Sequence, residues 1–96
     1  MNGGQFTRSI RKIEYAPRFL KHLRKLPKQI IAEAERKEAI FKSNSFHPLL
    51  HTHKLSGKEK EHWAFWIARD YRIKFIFLTD EEVLFLDVGT HDEVYR

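Results

Sequence analysis

Five side chains that can transfer a proton or bind an anion stand in three separate segments of the sequence. Two are histidines, one is an arginine, one an aspartate and one a tyrosine: His53, Asp70, Arg72, His91 and Tyr95. Histidine exchanges protons near neutral pH because its ordinary pKa is near 6.5. Arginine stays charged, and its planar guanidinium binds phosphate through two parallel hydrogen bonds. These groups form a reactive site only if the fold brings the three segments together.

Such a set of groups suits cleavage of RNA without a metal. A base must take the proton of the 2′-hydroxyl, a cation must stabilise the charged phosphorane, and an acid must protonate the departing 5′-oxygen. Either histidine can fill either proton-transfer role, so residue types alone do not assign the roles.

The elements that must position these residues follow from periodicity. Residues 10–15 alternate and predict a short strand. Pro17 fits the first turn of a helix, and Pro27 is expected to end that helix and open a second, which stops at residues 43–45. Residues 46–60 are predicted as a loop. A period of two then predicts three strands with short, and therefore antiparallel, connections: residues 62–68, 71–78 and 83–88.

The resulting order is strand, helix, helix and three strands, which predicts an α+β fold with two helices packed on one face of a four-stranded sheet. With 96 residues the chain has room for one domain,. We assign it to residues 8–96, after a flexible segment at residues 1–7.

The register of the strands decides which side chains share a face. If Leu78 lies opposite Val83 and Ala68 opposite Tyr71, one face carries the core: Ala64, Trp66, Ile73, Phe75, Phe77, Leu84, Leu86 and Val88. The uncovered face then carries Trp63, Phe65, Arg72, Lys74, Phe85 and Asp87. Aromatic rings beside cations suit single-stranded nucleic acid.

Charge is concentrated in the first third of the chain. The formal net charge is +5, and residues 8–28 hold eight basic residues and one acidic residue. A basic face of this kind suits docking on ribosomal RNA or on an acidic partner, although it also suits a solvated helix surface. The basic residues that we select as RNA-binding candidates are Arg11, Lys12, Arg18, Lys21 and Lys25.

Composition excludes several classes of protein. There is no cysteine, which excludes disulfides and thiolate zinc sites,. No apolar run is long enough to span a bilayer, and the N-terminus does not have the pattern of a secretory signal, so we expect a cytoplasmic protein. His47, His51 and His53 are closely spaced, but no carboxylate spacing completes a metal site, and we predict none.

Three motifs resemble those of a known family. HKLSG at residues 53–57, DYRIKF at 70–75 and VGTHDEVY at 88–95 recur in this order and spacing in the RelE/ParE superfamily of bacterial toxins. The YafQ-like and RelE-like ribonuclease branch is the most similar, over roughly residues 10–95. The ending Gly-Thr-His-x-x-x-aromatic is the most specific of these motifs.

The resemblance implies a type II toxin that cuts mRNA in the A site of the 30S ribosomal subunit, without a metal or a small-molecule cofactor, and that a cognate antitoxin neutralises. It implies catalytic roles for the five side chains named first. Tyr71 matches an active-site aromatic, and Trp63, Lys74 and Lys54 join it as candidates for binding RNA.

Two positions depart from the branch pattern. Trp66 stands where the branch has a histidine, and Asp87 stands where it has an arginine. These departures keep open a non-catalytic alternative on the same scaffold: a ParE-like gyrase poison, or a degenerate toxin that only sequesters its antitoxin. Asp87 is expected to pair with Lys74 or Arg72.

Overall fold

The computed structural model describes residues 8–56 and 61–95. The segment expected to be flexible, residues 1–7, and Gly57 of the first motif lie outside the described residues. Within the described ranges, no helix has the length and apolar character needed to cross a membrane.

Two helices follow the first strand, as the sequence predicted. Strand β1 spans Lys12–Tyr15, helix α1 spans Pro17–Leu23 and helix α2 spans Lys28–Ser43. Pro17 lies in the first turn of α1 and Pro27 is the N-cap of α2, which confirms both expectations for the prolines. Between the helices the backbone tightens, because the amide of Lys25 donates to the carbonyl of His22, three residues before it, at 3.1 Å,.

The strands form one sheet in the order β1-β5-β4-β3-β2. β2 spans His53–Lys54, β3 Trp63–Ala68, β4 Tyr71–Phe77 and β5 Glu82–Thr90. β1 pairs with β5 in parallel and the other pairs are antiparallel. The α+β class is therefore confirmed, with five strands rather than four.

The expected loop at residues 46–60 contains ordered elements. It includes a 3₁₀ turn at Pro48–Leu50 and the two-residue strand β2. After β5 a short helix, α3, spans His91–Val94. Two-residue strands and four-residue helices are too short to produce a period that a sequence reveals.

The predicted register holds at only one end of the ribbon. Arg72 pairs with Gly89 and Lys74 pairs with Asp87, as expected. A bulge after Lys74 then shifts the pairing, so that Phe77, and not Leu78, lies opposite Val83.

The pairing of β3 with β4 is also displaced by one residue over most of its length. Ala68 lies opposite Tyr71 as predicted, but a bulge between Trp66 and Ala68 places Phe65 beside Ile73 rather than beside Lys74. A shift of one residue exchanges the two faces of a strand.

The core face is therefore different from the predicted one. Phe65, Ile67, Val83 and Phe85 are fully buried, together with Ile73, Phe75 and Val88. Assigning Trp66, Leu84 and Leu86 to the core was wrong, and assigning Phe65 and Phe85 to the uncovered face was wrong. Trp63 also packs against the core cluster. Bulges cause these errors, because alternation along a strand does not reveal where pairing slips.

Aromatic packing fixes both helices on this one face. Phe41 of α2 stacks on Phe65 with ring centroids 4.6 Å apart, and Phe19 of α1 meets Phe85 edge-on at 5.3 Å. Burying one such side chain contributes about 1.5–3 kcal/mol. The opposite face of β4, which carries Arg72 and Lys74, is covered by neither α1 nor α2.

Candidate functional site

Strand β2 places His53 at the edge of the sheet. Its pairing partner is Ala64, and the imidazole is exposed. Nδ1 of His53 lies 2.9 Å from the carbonyl oxygen of His51. Because a carbonyl only accepts hydrogen bonds, Nδ1 carries the proton in this contact. In the neutral ring, Nε2 is therefore the atom that accepts.

The acceptor nitrogen of His53 faces a phenol from the other end of the chain. Its Nε2 lies 2.5 Å from the hydroxyl oxygen of Tyr95. The hydroxyl donates to Nε2 in the neutral pair, and a proton can pass along this contact. A hydrogen bond thus joins residues 42 positions apart in sequence.

Helix α3 holds Tyr95 and His91 side by side. The Thr90 side chain accepts from the amide of Glu93, and the Glu93 carboxylate accepts from the amide of Thr90 at 2.8 Å, which is a capping box,. Val94 is buried and anchors the turn. His91 and Tyr95 are four residues apart, and their ring centroids are 4.2 Å apart.

A backbone contact ties α3 to the turn before β4. The amide of His91 donates to the carbonyl of Asp70 at 2.8 Å. The Asp70 carboxylate in turn lies 3.5 Å from Nη1 of Arg72. The β3–β4 turn and the C-terminal helix therefore form one rigid corner of the sheet.

Arg72 points from β4 into the same corner. Its Nη1 is buried and has no hydrogen-bond partner among residues 8–56 and 61–95. Gly89 lies directly opposite Arg72 on β5, and a Cβ there would approach Oε1 of Glu93 to 2.6 Å. A Cβ at position 89 would therefore push the Glu93 carboxylate away from its capping contact. The guanidinium of Arg72 places a permanent positive charge at this corner,.

The ionisation of Tyr95 reflects this position. Burial raises the pKa of the Tyr95 phenol, and the neighbouring Arg72 guanidinium opposes part of that rise. Because the balance is a raised pKa, the hydroxyl keeps its proton at neutral pH and acts as a donor.

The structure thus brings together all five side chains first selected from the sequence, from β2, the β3–β4 turn, β4 and the α3 segment, through the contacts His53–Tyr95, Tyr95–His91, Tyr95–Arg72 and Arg72–Asp70. Two imidazoles, a phenol and a guanidinium surround a single exposed patch, with Asp70 beside the guanidinium. We call this group the catalytic patch: His53, Asp70, Arg72, His91 and Tyr95. The role of each member remains a prediction.

The RNA-binding candidates of the sheet do not all lie on one face. Lys74 lies two residues from Arg72 on the same face of β4, whereas Tyr71 alternates with them and packs against the core cluster on the helix side,. Trp63 packs edge-on against Phe46 and Phe77, at 5.5 and 5.6 Å between ring centroids. Neither of these two aromatic rings lies on the face that carries Arg72.

The basic candidates fall into two groups. Arg11 pairs with Glu81 and Glu82, Lys12 lies 3.6 Å from Glu14, and Lys54 lies 3.6 Å from Glu61. In contrast, α1 and the turn after it carry exposed cations along one surface. We call this surface the α1 basic face: Arg18, Lys21, Arg24, Lys25 and Lys28.

Trp66 and Asp87, the two residues that depart from the branch pattern, both form side-chain contacts. The indole nitrogen of Trp66 donates to the carbonyl of Arg69 at 2.6 Å, and the Lys37 ammonium lies 4.8 Å from the Trp66 ring centroid. The expectation that the Asp87 carboxylate forms an ion pair with Lys74 or Arg72 was wrong: its Oδ1 lies 2.6 Å from Nδ1 of His22 on α1. No sequence signal pointed to His22, because this contact joins residues 65 positions apart.

Within residues 8–56 and 61–95, no group of three or more histidine, aspartate or glutamate side chains is placed to hold a metal ion. His47, the first of the closely spaced histidines, instead uses Nδ1 to accept from the amide of Leu49 at 3.1 Å.

Comparison with known proteins identifies the fold. No protein-family model and no curated protein matches the sequence. Among solved structures, YafQ from Escherichia coli BL21(DE3) matches with a TM-score of 0.72 at 19% identity, over 88% of this chain and 97% of that one. YafQ in the E. coli DinJ-YafQ toxin-antitoxin complex matches at 0.71 and 20%, over 88% and 96%. The archaeal RelE-RelB complex from Pyrococcus horikoshii matches at 0.66 and 17%, over 82% and 92%. The chain therefore has the RelE/ParE fold in its YafQ-like form.

Proposed function

We propose that this protein is the toxin of a type II toxin–antitoxin system and cleaves mRNA in the A site of the ribosome without a metal ion. The observation that carries the proposal is the catalytic patch, in which His53, Tyr95 and His91 are in contact beside a buried guanidinium nitrogen of Arg72. The fold shared with YafQ and RelE supports the same conclusion.

The reaction needs no group beyond those in the patch. A base removes the proton of a 2′-hydroxyl, whose oxygen attacks the adjacent phosphorus. The bond from phosphorus to the 5′-oxygen then breaks, and an acid delivers a proton to that oxygen. The products are a 2′,3′-cyclic phosphate on the upstream fragment and a free 5′-hydroxyl on the downstream fragment.

Arg72 is placed to stabilise the phosphorane. Its side chain is 22% exposed and lies beside Tyr95, so its permanently charged guanidinium can donate charge-assisted hydrogen bonds to a phosphate oxygen,. The Asp70 carboxylate at 3.5 Å holds the guanidinium in this orientation. Donors fixed before the reaction stabilise developing charge most effectively.

The two histidines act in different ways. Both nitrogens of His53 already have partners, so this ring exchanges protons with the substrate through the Tyr95 hydroxyl. The His91 ring is exposed beside Tyr95 and reaches the substrate directly. The two imidazoles thus provide the base for the 2′-hydroxyl and the acid for the departing 5′-oxygen.

The remaining surface suits the ribosome and an antitoxin. The α1 basic face offers five exposed cations to the phosphates of ribosomal RNA,. A protein antitoxin is proposed because similar toxins occur in complexes such as DinJ-YafQ. The proposed site of action is the cytoplasm, where ribosomes translate.

Cleavage by chelator-treated protein tests the proposal. The protein is incubated with a chelator, freed of it by gel filtration, and added to Mg²⁺-containing ribosomes programmed with a defined mRNA. We expect cuts within the A-site codon for the wild type, a loss of cutting for His91→Ala, and wild-type cutting for His47→Ala, the control outside the patch.

The opposite result supports the non-catalytic alternative. Intact mRNA at protein levels that stop growth, together with undiminished toxicity of His91→Ala, would show that toxicity comes from binding alone.

A further inference from the structure

We propose that the cleft between α1, the free edge of β5 and α3 binds one base of the substrate RNA and selects a base with an exocyclic amino group. This inference rests on the proposed function and adds the substrate preference. It concerns a surface distinct from the catalytic patch but adjacent to it.

The cleft has a volume of about 310 Å³. Its walls include His22 from α1 and Lys25 from the turn after it, Tyr71 and Asp87 from the sheet, and Thr90 and Glu93 from the start of α3. Pockets for small ligands have volumes of about 300–1,000 Å³. The cleft is therefore at the lower end of that range, which suits one nucleotide rather than an element of a folded partner.

The cleft adjoins the catalytic patch through α3. Thr90 is the N-cap of this helix and Glu93 its third residue, while His91 and Tyr95 belong to the same turn. A strand of RNA whose phosphate contacts Arg72 can thus place a neighbouring base beyond α3, in the cleft.

The free edge of β5 gives the cleft its polar groups. β1 pairs with β5 only as far as Phe85, so residues 86–90 lack a β1 partner. The amides of Val88 and Thr90 each donate to a carboxylate at 2.8 Å, from Asp87 and Glu93 respectively. Two carboxylates therefore line an opening at the sheet edge that no strand of the described chain fills.

Asp87 is oriented to accept a hydrogen bond from a base. The His22 ring nitrogen and the Val88 amide both contact Oδ1 of Asp87, at 2.6 and 2.8 Å. Within the described chain these contacts use a single oxygen, so Oδ2 can accept a further hydrogen bond. The side chain is only 14% exposed, which keeps the carboxylate fixed.

An ionised carboxylate accepts hydrogen bonds and cannot donate them. Cytosine presents an amino donor where uracil presents a carbonyl oxygen, and adenine and guanine also carry an amino group. Asp87 therefore favours these three bases over uracil. The half-buried Tyr71 ring supplies an apolar surface for the base, and the exposed Lys25 ammonium can pair with its phosphate.

The test compares two pyrimidine oligonucleotides that differ in this group. Uniformly ¹⁵N-labelled protein is titrated with 2′-O-methyl CCC and 2′-O-methyl UUU, which the proposed reaction cannot cleave. We expect CCC to shift the amide resonances of Tyr71, Val88 and Thr90 and to bind about 5- to 150-fold more tightly than UUU.

Two variants assign the preference to Asp87. In Asp87→Asn the amide can donate to uracil as well as accept from cytosine, so the CCC preference should shrink to below about threefold. Asp80→Asn makes the same change of charge at an exposed turn between β4 and β5 and should keep the wild-type preference.

The outcomes separate this inference from the proposed function. Equal binding of CCC and UUU by the wild type, or no shift of the cleft amides with either, would overturn the inference even if mRNA is cleaved. A retained CCC preference without any cleavage on ribosomes would overturn the proposed function and leave the inference standing. An undiminished preference for CCC in Asp87→Asn would also overturn the inference, because the Asp87 carboxylate would then not be the group that distinguishes the bases.

Discussion

Replacing Tyr95 with phenylalanine isolates the contact on which proton transfer depends. The substitution removes the hydroxyl that lies 2.5 Å from Nε2 of His53 and leaves the ring that packs against His91 at 4.2 Å. A hydrogen bond of this kind contributes about 0.5–1.5 kcal/mol to stability. Folding should therefore change little.

The effect on the reaction should be much larger. A positioned acid or base accelerates a reaction by about 10²- to 10⁴-fold, and without the hydroxyl the proposed proton transfer from His53 through Tyr95 is interrupted. We expect the single-turnover rate of mRNA cleavage on ribosomes to fall by at least about 100-fold. The concentration for half-maximal rate should stay nearly constant, because the aromatic ring remains in place.

A second tyrosine provides the matched control. Tyr15 also donates its hydroxyl to a side chain, Glu38, but on the edge strand β1. Tyr15→Phe should cleave at the wild-type rate. If Tyr95→Phe cleaves within about threefold of the wild type while His91→Ala does not, proton transfer through the phenol is refuted.

Three further predictions follow from individual contacts. Gly89→Ala should lower the free energy of unfolding by about 1–3 kcal/mol, measured by urea denaturation, because its Cβ would lie 2.6 Å from Oε1 of Glu93 and disrupt the capping box,; an unchanged urea midpoint would contradict this. Burial raises the pKa values of Tyr15 and Tyr95 above the 10.0 of a free tyrosine, so the unfolded chain loses these protons first, and the contribution of these two phenols to stability should be present at pH 8 and fall above pH 10,. Urea midpoints measured at pH 8 and 10.5 test this, and the midpoint should fall less between these pH values in Tyr95→Phe than in the wild type. An equal fall in both proteins would rule out a contribution from the Tyr95 phenol. Lys21→Glu should weaken ribosome binding and reduce its salt dependence without changing the cleavage rate of bound complexes, and an unaltered salt slope would exclude the α1 basic face from docking.

The sequence predicted the class of the fold because its longer elements carry clear periods. Helix α2 and strand β4 are long enough to show their periods. Pro17 and Pro27 mark the starts of the helices because proline has a fixed backbone angle and no amide hydrogen, which tertiary contacts rarely override. The pairing of Ala68 with Tyr71 was also predictable, since the short turn between β3 and β4 fixes the pairing next to it,.

The remaining register could not be predicted, for a physical reason. The bulges after Lys74 and between Trp66 and Ala68 are set by how the strands twist under the helices, and no residue pattern marks them,. They moved Phe65 and Phe85 into the core, so the uncovered face carries fewer aromatic rings than the sequence suggested.

The candidate site was also predictable only in part. Residue types selected the three segments that meet at one corner, because few side chains can exchange protons or bind phosphate. The partner of Asp87 was not predictable, since His22 reaches it only through the packing of α1 on β5. Alternation along β4, in contrast, could have placed Tyr71 on the side opposite Arg72.

The end groups of the cleaved RNA test the central claim most directly. The wild-type protein is incubated with programmed ribosomes, and the termini of the mRNA fragments are identified by mass spectrometry. Attack by the 2′-hydroxyl at the catalytic patch predicts a 2′,3′-cyclic phosphate upstream and a 5′-hydroxyl downstream, both lost in Arg72→Ala. Fragments that end in a 3′-hydroxyl and a 5′-phosphate, or mRNA that stays intact, would contradict it.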